Sequence, residues 1–405
     1  MIPREKMNCE RPAYQVDDTI LKRFPVTRNA FSVVSLKDTG EMTPDGFLGQ
    51  MMKSLMRRIE RNAKGYTQMD NALDMGANAL NLIIGNYGRP NTQFLQWSPL
   101  LGELFPNRVN MPGQELTQMV KEAASLYGAD LVGVAKVDER WIFSSDYQKP
   151  FVIDDSQAPL EDDKGFHIPQ QFTRAIVMAL VMDDDLQDQS PSVPASTAAS
   201  LGYSRMAITA VSLAEYIRGL GFHAIPSMND TALSIPLAVD AGLGQLGRHG
   251  LLITPEYGSN VRLCKVLTDM PLAVDEPIDF GVTEFCNNCL LCVQHCPSGS
   301  ISAGGRTMES EMSTGNSGVL KWYIKGESCL RFWQENGASC GNCIAVCPFT
   351  HGFESSHCLE CERCELRHDT CVLQDNTDMR IDHGYLEKVA WGGRSKRIQP
   401  KRRGL

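Results

Sequence analysis

The sequence has no hydrophobic run long enough to cross a membrane and no surplus of positive charge. None of its apolar stretches approaches the roughly 18–20 residues that a membrane-spanning helix needs. The 39 Lys and Arg residues are outnumbered by 48 Asp and Glu residues, which gives a net charge of −9. This balance argues against binding of nucleic acid through a broadly basic surface, so no nucleic-acid partner is expected. The first residues, MIPREKMNCE, contain no apolar signal-peptide core and no twin-arginine pair, although a mature or recloned chain would lack these features too.

Cysteine is scarce through most of the chain and crowded near its end. Of the 14 cysteines, only Cys9 precedes Cys264. A secreted disulfide scaffold is usually small and spreads its cysteines along the chain. Crowding at short, regular spacings indicates metal or cluster ligation instead.

The crowded cysteines form two runs of the bacterial ferredoxin type, in which the fourth cysteine of a run ligates the other cluster. The sequence therefore predicts two 4Fe-4S clusters with crossed ligands. The first cluster takes Cys286, Cys289, Cys292 and Cys347. The second cluster takes Cys296, Cys329, Cys340 and Cys343. The alternative is a pair of zinc sites, which typically use two separated C-x2-C pairs.

Hydrophobic patterns divide the chain into four regions. We predict strands over residues 131–137, 175–182, 222–226 and 261–267, and a long helix over residues 196–220. Helices that alternate with buried strands indicate a mixed α/β (α+β) fold. The regions are an irregular N-terminal unit that wraps the active site (1–114), the α/β domain (115–275), an iron–sulfur domain (276–355) and a tail that is Cys-rich and then basic (356–405).

The glycine-rich segment AGLGQLGRHGLLITPEYGS, residues 241–259, lies directly upstream of the cluster cysteines. Together with the double ferredoxin motif it resembles the corrinoid-dependent reductive dehalogenases, to which the epoxyqueuosine reductases are related. The resemblance is specific from Tyr203 to Pro348. It implies a nitroreductase-like, corrinoid-binding domain followed by a two-cluster ferredoxin-like domain. No DxHxxG motif that could ligate cobalt occurs among the 8 histidines, which fits the base-off, histidine-free corrinoid binding of that family.

The resemblance also implies three catalytic residues. Tyr203 would donate a proton to the carbon that loses halide, Arg262 would stabilise the phenolate, and Asn229 would orient the tyrosine or the substrate. From the residues alone each has a plainer interpretation. Tyr203 lies at helical spacing from Met206 and suits a core position, Arg262 suits a surface salt bridge, and Asn229 suits a turn.

Corrinoid contacts are expected along the same segments. Glycine lets the backbone approach a flat ligand closely and adopt positive φ, although turns and helix caps use glycine equally often. The expected contacts are Asn229, Ser234, Gly244, Gly247 and Arg262. The substrate pocket is expected to use aromatic residues such as Phe31, Trp97, Trp141, Trp322 and Trp333.

A further cysteine group departs from the family pattern. It would hold zinc, hold a third cluster, or remain as free thiols. The group comprises Cys358, Cys361, Cys364 and Cys371.

The resemblance implies an organohalide substrate, a membrane-anchor protein and a low-potential electron donor that is quinol-linked, a ferredoxin or a flavodoxin. A homodimer is left open. Respiratory members act at the outer face of the cytoplasmic membrane after twin-arginine export, which is expected here, and cytoplasmic relatives supply the alternative location.

Two rival functions remain open at this stage. An epoxyqueuosine reductase acting on tRNA would use an aspartate in this region, where Asp230 stands, but the acidic net charge argues against it. A non-enzymatic electron-transfer subunit would carry the clusters beside an inert α/β domain.

Overall fold

The computed structural model describes residues 7–35, 46–81 and 107–351. Its centre is a four-stranded antiparallel sheet with the strand order β1-β5-β9-β6. These strands are β1 (Leu131–Lys136), β5 (Arg174–Val181), β6 (Ala224–Ser227) and β9 (Val261–Thr268). All four strands predicted from the apolar runs are confirmed to within about two residues at each end.

The central sheet is buried on both faces because its side chains alternate between two cores. Ile176 and Met178 of β5 pack beneath helices α4 (Gly113–Leu126) and α6 (Val193–Gly219). Ala175 and Val177 face the opposite core, which includes helix α7 (Ser234–Asp240). This two-sided burial explains why β5 reads as a continuous apolar run.

Helix α6 crosses the sheet and carries Tyr203 in its first half. It begins at Val193, three residues before the predicted start, because Pro194 lies in its first turn, where a missing N–H costs nothing. The helix runs for 27 residues with buried side chains along most of its length. Helix α5 (Asp184–Gln187) precedes it.

The N-terminal region is more regular than the sequence indicated. Helices α1 (Ala30–Ser35), α2 (Phe47–Glu60) and α3 (Gln68–Leu80) occupy much of its described part, so the prediction of an irregular unit is wrong there. Helix α3 begins with a capping box between Thr67 and Asp70. Met52 and Met69 are exposed on these helices, and such outward apolar side chains obscure the helical period.

Short elements complete the two units. The first unit adds a small sheet of β2 (Phe151–Asp154), β3 (Leu160–Glu161) and β4 (Phe166–Pro169), and a hairpin of β7 (Gln245–Leu246) and β8 (Leu252–Ile253). The cysteine-bearing unit contains α8 (Val282–Asn288), α9 (Leu291–Gln294), α10 (Gly326–Asn336) and α11 (Asn342–Ala345). Among the helices of the described ranges, none is both long and apolar enough to cross a membrane.

Candidate active site and cluster cysteines

The structure brings Tyr203, Asn229 and Arg262 together from three separate elements. Tyr203 lies on α6, Asn229 follows β6, and Arg262 lies near the start of β9. The Asn229 side-chain amide donates a hydrogen bond of 2.9 Å to the Tyr203 hydroxyl. The guanidinium carbon of Arg262 lies 5.0 Å from the centroid of the Tyr203 ring. The phenol is thus held at its oxygen by an amide and covered on its ring by a cation.

The plainer interpretation of Tyr203 also holds in part. Its ring is half-buried and packs against the core that contains Met206. Its hydroxyl, however, meets the exposed Asn229 and does not end in the core. Tyr203 therefore lies at the edge of the core, with its polar atom at the surface of a site.

Gly202 makes room for Arg262. A Cβ atom at Gly202 would lie only 2.8 Å from the Cγ atom of Arg262. The absence of a side chain at this position lets the arginine lie against α6, over the neighbouring tyrosine ring. This positioning role of Gly202 carries no sequence signal, because the two residues are 60 positions apart and meet only in the fold.

A buried lysine holds the loop that carries Asn229. Lys265 has no exposed surface, and its ammonium donates to the Met228 carbonyl at 2.5 Å and to the Ser234 hydroxyl at 2.9 Å. Burial lowers the pKa of Lys265 to about 8, while the negative charge of Asp230 acts in the opposite direction. Lys265 was not among the residues predicted to act in the site. Its signal was a lone charge between Cys264 and Val266 in a strand with buried neighbours.

Asp230, the residue on which the epoxyqueuosine interpretation rests, points into this buried network. It is 7% exposed, and its carboxylate accepts the Met228 backbone N–H at 2.6 Å. Burial raises the pKa of Asp230, although the charge of Lys265 lowers it. Its carboxyl group is therefore engaged in holding the loop that Lys265 closes.

The glycines at 244 and 247 are required by close packing within the β7–β8 hairpin. A Cβ at Gly244 would lie 2.1 Å from the Ile253 carbonyl oxygen, and one at Gly247 would lie 2.7 Å from the Ile253 Cδ1 atom. Positive φ angles occur instead at Gly242 (+68°) and Gly250 (+75°). The hydroxyl of Ser234 is likewise engaged within the protein, by Met228 and Lys265. Hairpin packing is thus one sufficient reason for glycine at both positions.

Four buried polar atoms near these segments lack a hydrogen-bond partner among the described residues. They are Gln245 Nε2, His249 Nε2, Asn260 Oδ1 and Arg262 Nε. Burial lowers the pKa of His249 to about 4, so its imidazole is neutral, and its Nδ1 atom accepts the Leu251 N–H. An unpaired buried polar group costs about 1–3 kcal/mol. A ligand that carries many amide groups, as a corrinoid does, has the chemistry to satisfy such atoms.

The first predicted cysteine quartet lies together. Its cysteines come from α8, from the segment between α8 and α9, from α9 and from the segment after α11. The charges of Cys286, Cys289 and Cys292 all act on the thiol of Cys347. Burial raises the pKa of Cys347 and Cys292 to about 12 and that of Cys286 to about 11. Thiols buried in this way become thiolates readily only when a positive metal centre replaces the proton.

The second quartet also lies together and approaches the first at one point. The charges of Cys340, Cys329 and Cys296 act on the thiol of Cys343, whose pKa is raised first of all by burial. Cys292 of the first quartet acts on Cys343 as well. The two groups of thiols are therefore close enough for a charge in one to act on the other. The additional cysteines at 358–371 lie outside the described residues.

Several direct contacts join the cysteine-bearing unit to the α/β unit. The Ser196 hydroxyl on α6 lies 2.7 Å from that of Ser339, and the Ser259 hydroxyl lies 3.1 Å from that of Thr350. Gly258 packs so tightly that a Cβ there would lie 2.3 Å from backbone atoms of residues 349 and 350. The start of α6, which leads to Tyr203, thus rests directly on the segment that carries the second quartet.

The aromatic residues expected in a substrate pocket have other positions. Trp141 is 2% exposed within the first core, and Trp322 is 3% exposed in a smaller core with Cys286. The Phe31 ring packs edge-on against Phe47. The rings of Trp141 and Trp322 fill cores, so their place in a substrate pocket stays a prediction, and Trp97 lies outside the described residues.

Residues 116–272 match the family model described as reductive dehalogenase subunit, and residues 285–351 match the 4Fe-4S dicluster domain. Tetrachloroethene reductive dehalogenase of Sulfurospirillum multivorans is 40% identical, over 72% of this chain and 60% of its own length. A protein of the same name from Desulfitobacterium hafniense is 33% identical, over 81% of this chain and 72% of its own length.

Among solved structures, the catabolic reductive dehalogenase NpRdhA in complex with 3-bromo-4-hydroxybenzoic acid has the same fold. It superimposes with a TM-score of 0.62 at 22% identity, over 86% of this chain and 45% of its own. The present chain thus spans less than half of that solved chain and 60% of the Sulfurospirillum relative. With a mixed α/β reductive dehalogenase domain followed by a 4Fe-4S dicluster domain, this chain belongs to the reductive dehalogenase family.

Proposed function

We propose that the chain reduces an organohalide, so that a carbon–halogen bond is replaced by a carbon–hydrogen bond. The overall change is R–X + 2e⁻ + H⁺ → R–H + X⁻. The observation that carries this proposal is the contact of the Tyr203 hydroxyl with Asn229 beneath the guanidinium of Arg262. This arrangement provides a proton, a group that holds the proton donor in place and a positive charge for the product phenolate.

A base-off corrinoid and two 4Fe-4S clusters are the proposed cofactors. The buried polar atoms without partners around residues 245–262 support a ligand rich in amides beside Arg262. We propose that this corrinoid contacts Asn229, Ser234, Gly244, Gly247 and Arg262. When bound, the clusters would supply electrons singly, and the reduced cobalt would supply the pair that breaks the carbon–halogen bond.

The chain's own residues then have distinct tasks. Tyr203 gives the proton of its hydroxyl group to the carbon, as a general acid. Asn229 fixes the direction of that hydroxyl through its 2.9 Å hydrogen bond. Arg262 remains charged and stabilises the phenolate until a proton from solvent restores the phenol.

The cluster ligands, the domain bounds and the partner proteins follow from the same assignment. We propose the crossed ligand sets, a nitroreductase-like corrinoid domain over residues 115–275 and an iron–sulfur domain over residues 276–355. An external low-potential donor and a membrane-anchor protein at the outer face of the cytoplasmic membrane would complete the system. A chlorinated ethene is the first substrate to test, because both similar relatives carry tetrachloroethene in their names.

The test is halide release by the purified protein under anaerobic conditions, with reduced viologen as electron donor. Tetrachloroethene, a chlorophenol and a chloroalkane form the substrate panel, and a stem-loop carrying epoxyqueuosine forms the comparison. Halide release from any member of the panel, with two electrons consumed per halide, is expected. Turnover of the modified RNA alone would contradict the proposal. Eight irons without cobalt, and no turnover of either substrate class, would identify an electron-transfer subunit.

A further inference from the structure

Arg248 is a buried cation whose hydrogen bonds end on backbone carbonyls. Arg248 is 2% exposed and lies in the turn of the β7–β8 hairpin. Its acceptors lie at 2.8–3.3 Å and are the carbonyl oxygens of Cys286, Asn287, Ser302 and Gly304. The guanidinium carbon lies 4.5 Å from the centroid of the Trp322 ring. Neutral acceptors and an aromatic face hold the charge without cancelling it.

The positive charge of Arg248 lies beside the first quartet of thiols, since it donates to backbone carbonyls at Cys286 and at the adjoining Asn287. The arginine donates directly to the carbonyl oxygen of Cys286, so it lies against the last turn of α8, which presents this ligand. A buried charge at such a position is poorly screened by water and salt.

The second quartet has a different electrostatic environment. The Cys296 sulfur accepts the Ser300 backbone N–H at 3.3 Å and lies 3.4 Å from the Ser298 hydroxyl. The Ser190 hydroxyl approaches the Cys340 sulfur at 4.0 Å. Neutral hydrogen-bond donors thus serve the second quartet where a full positive charge serves the first.

We propose that Arg248 raises the reduction potential of the cluster at Cys286, Cys289, Cys292 and Cys347 relative to the other cluster. The proposal rests on the two-cluster assignment above. Reduction adds one electron and leaves the four thiolate ligands unchanged, so the reduced state carries one more negative charge. A fixed buried cation stabilises that state more than the oxidised state. Arg248 is accordingly a positioning and tuning residue of the electron path, and it is not a catalytic residue.

The test is a redox titration followed by electron paramagnetic resonance on holoprotein, together with iron analysis of each sample. Arg248→Gln removes the charge and keeps part of the hydrogen bonding. Arg248→Lys keeps the charge and loses part of the hydrogen bonding. Arg306→Gln is the matched control, because the guanidinium carbon of Arg306 also faces Trp322, 5.7 Å from the ring centroid.

We expect Arg248→Gln to lower the reduction equilibrium constant of one cluster by at least tenfold, which is about 59 mV for a one-electron couple. The reduction equilibrium constant of the other cluster should stay within threefold of the wild-type value. Both constants should stay within threefold of the wild type in Arg248→Lys and in Arg306→Gln. A potential in Arg248→Gln that equals the wild-type value, with full iron, would overturn the proposal. The proposal would also be overturned if the potential of this cluster fell as far in Arg248→Lys as it does in Arg248→Gln.

Iron content distinguishes a failure of the Arg248 proposal from a failure of the two-cluster assignment on which it rests. A wild-type protein with fewer than eight irons would overturn the two-cluster assignment itself. If Arg248→Gln fails to load one cluster, Arg248→Lys decides the outcome. Full loading and an unchanged potential in the lysine variant support the role of the charge. Loss of the same cluster in the lysine variant shows that only the hydrogen bonds matter.

Discussion

Lys265 keeps a charged side chain with no exposed surface in the middle of β9. It bridges the Met228 carbonyl and the Ser234 hydroxyl, and Asp230 supplies the compensating charge. The backbone at Thr231 adopts φ +52°, a left-handed conformation that this loop maintains for a β-branched residue. The position of Asn229 beside the Tyr203 hydroxyl therefore depends on a buried lysine that the sequence did not single out.

Replacement of Lys265 tests whether the position of Asn229 depends on this lysine. Lys265→Met should leave Asp230 buried without its partner, which destabilises the protein by roughly 3–5 kcal/mol. In the folded enzyme kcat should fall about tenfold or more while KM changes little, because Asn229 acts on the proton donor in the chemical step. Steady-state kinetics and urea unfolding measure the two effects. Lys136→Met, at the exposed end of β1, is the control, and a kcat within twofold of the wild type in Lys265→Met would contradict the argument.

At the level of residues, short motifs led to side chains that lie near one another in the fold. The spacing of the cysteines led to two quartets whose members are neighbours in the structure, and the family motif led to Tyr203, Asn229 and Arg262, which meet. Gly202, Arg248 and Lys265 were missed, because each acts through a contact between distant parts of the chain. A pattern within one segment cannot reveal a clash or a buried charge that arises only after packing.

At the scale of elements, one tether joins the N-terminal segment to the end of α7. The Tyr14 hydroxyl donates to the Asp240 carboxylate at 2.6 Å. Burial raises the pKa of Asp240 from 3.8 to about 6, although the hydrogen bond from Tyr14 lowers it. The folded state thus retains a proton at Asp240 between about pH 4 and 6, where the unfolded chain has released it. Because the folded state binds more protons in this window, the contribution of Asp240 to stability falls as the pH rises.

Asp240→Asn should remove that dependence while keeping an oxygen acceptor for Tyr14. The variant should gain stability relative to the wild type between pH 4 and 7, by at most about 3 kcal/mol. Urea unfolding at a series of pH values measures the difference, and the exposed Asp155→Asn variant is the control. A difference between variant and wild type that does not change with pH would refute the assignment of this titration to Asp240.

Gly258 of the α/β unit packs directly against residues 349 and 350 of the cysteine-bearing unit. Its φ is +55°, and a Cβ there would meet backbone atoms of residues 349 and 350 at 2.3–2.4 Å. Gly299 has nearly the same φ, +59°, but a Cβ there would meet nothing within 4 Å.

This pair separates a steric clash from backbone strain. Gly299→Ala should cost only the left-handed strain of about 1–2 kcal/mol. Gly258→Ala should cost more, and it should also displace the segment after Cys347, so that iron is lost. Thermal unfolding and iron per chain are the measurements. Equal effects of the two substitutions on both quantities would show that the close packing at Gly258 has no bearing on cluster binding.

Elements were predictable where burial is uniform. The run that became β5 is apolar because both faces of the sheet are covered there. Helices α2 and α3 escaped prediction, since exposed side chains such as Met52, Met56 and Met69 break the single apolar face. The start of α6 was placed late, because Pro194 reads as a breaker although it suits a first turn.

At the scale of the whole molecule, direct contacts connect the α/β unit to the cysteine-bearing unit. The charge of Cys292 in the first quartet acts on Cys343 in the second, and Ser339, beside the second quartet, meets Ser196 at the start of α6. The same helix carries Tyr203. The cysteine-bearing segment, the helix and Tyr203 thus follow one another through direct contacts. This continuity makes sense if electrons arrive at the cysteines and are used near Tyr203.

The proton donor at the end of this path is the most direct point of test. The measurement is the rate of halide release by fully loaded, anaerobic enzyme with saturating donor, compared between the wild type and Tyr203→Phe. Tyr216→Phe, a change of the same kind on the same helix, is the control. Loss of a general acid predicts a fall of roughly 10²–10⁴-fold for Tyr203→Phe and less than twofold for Tyr216→Phe. Halide release by Tyr203→Phe at the wild-type rate would contradict the account.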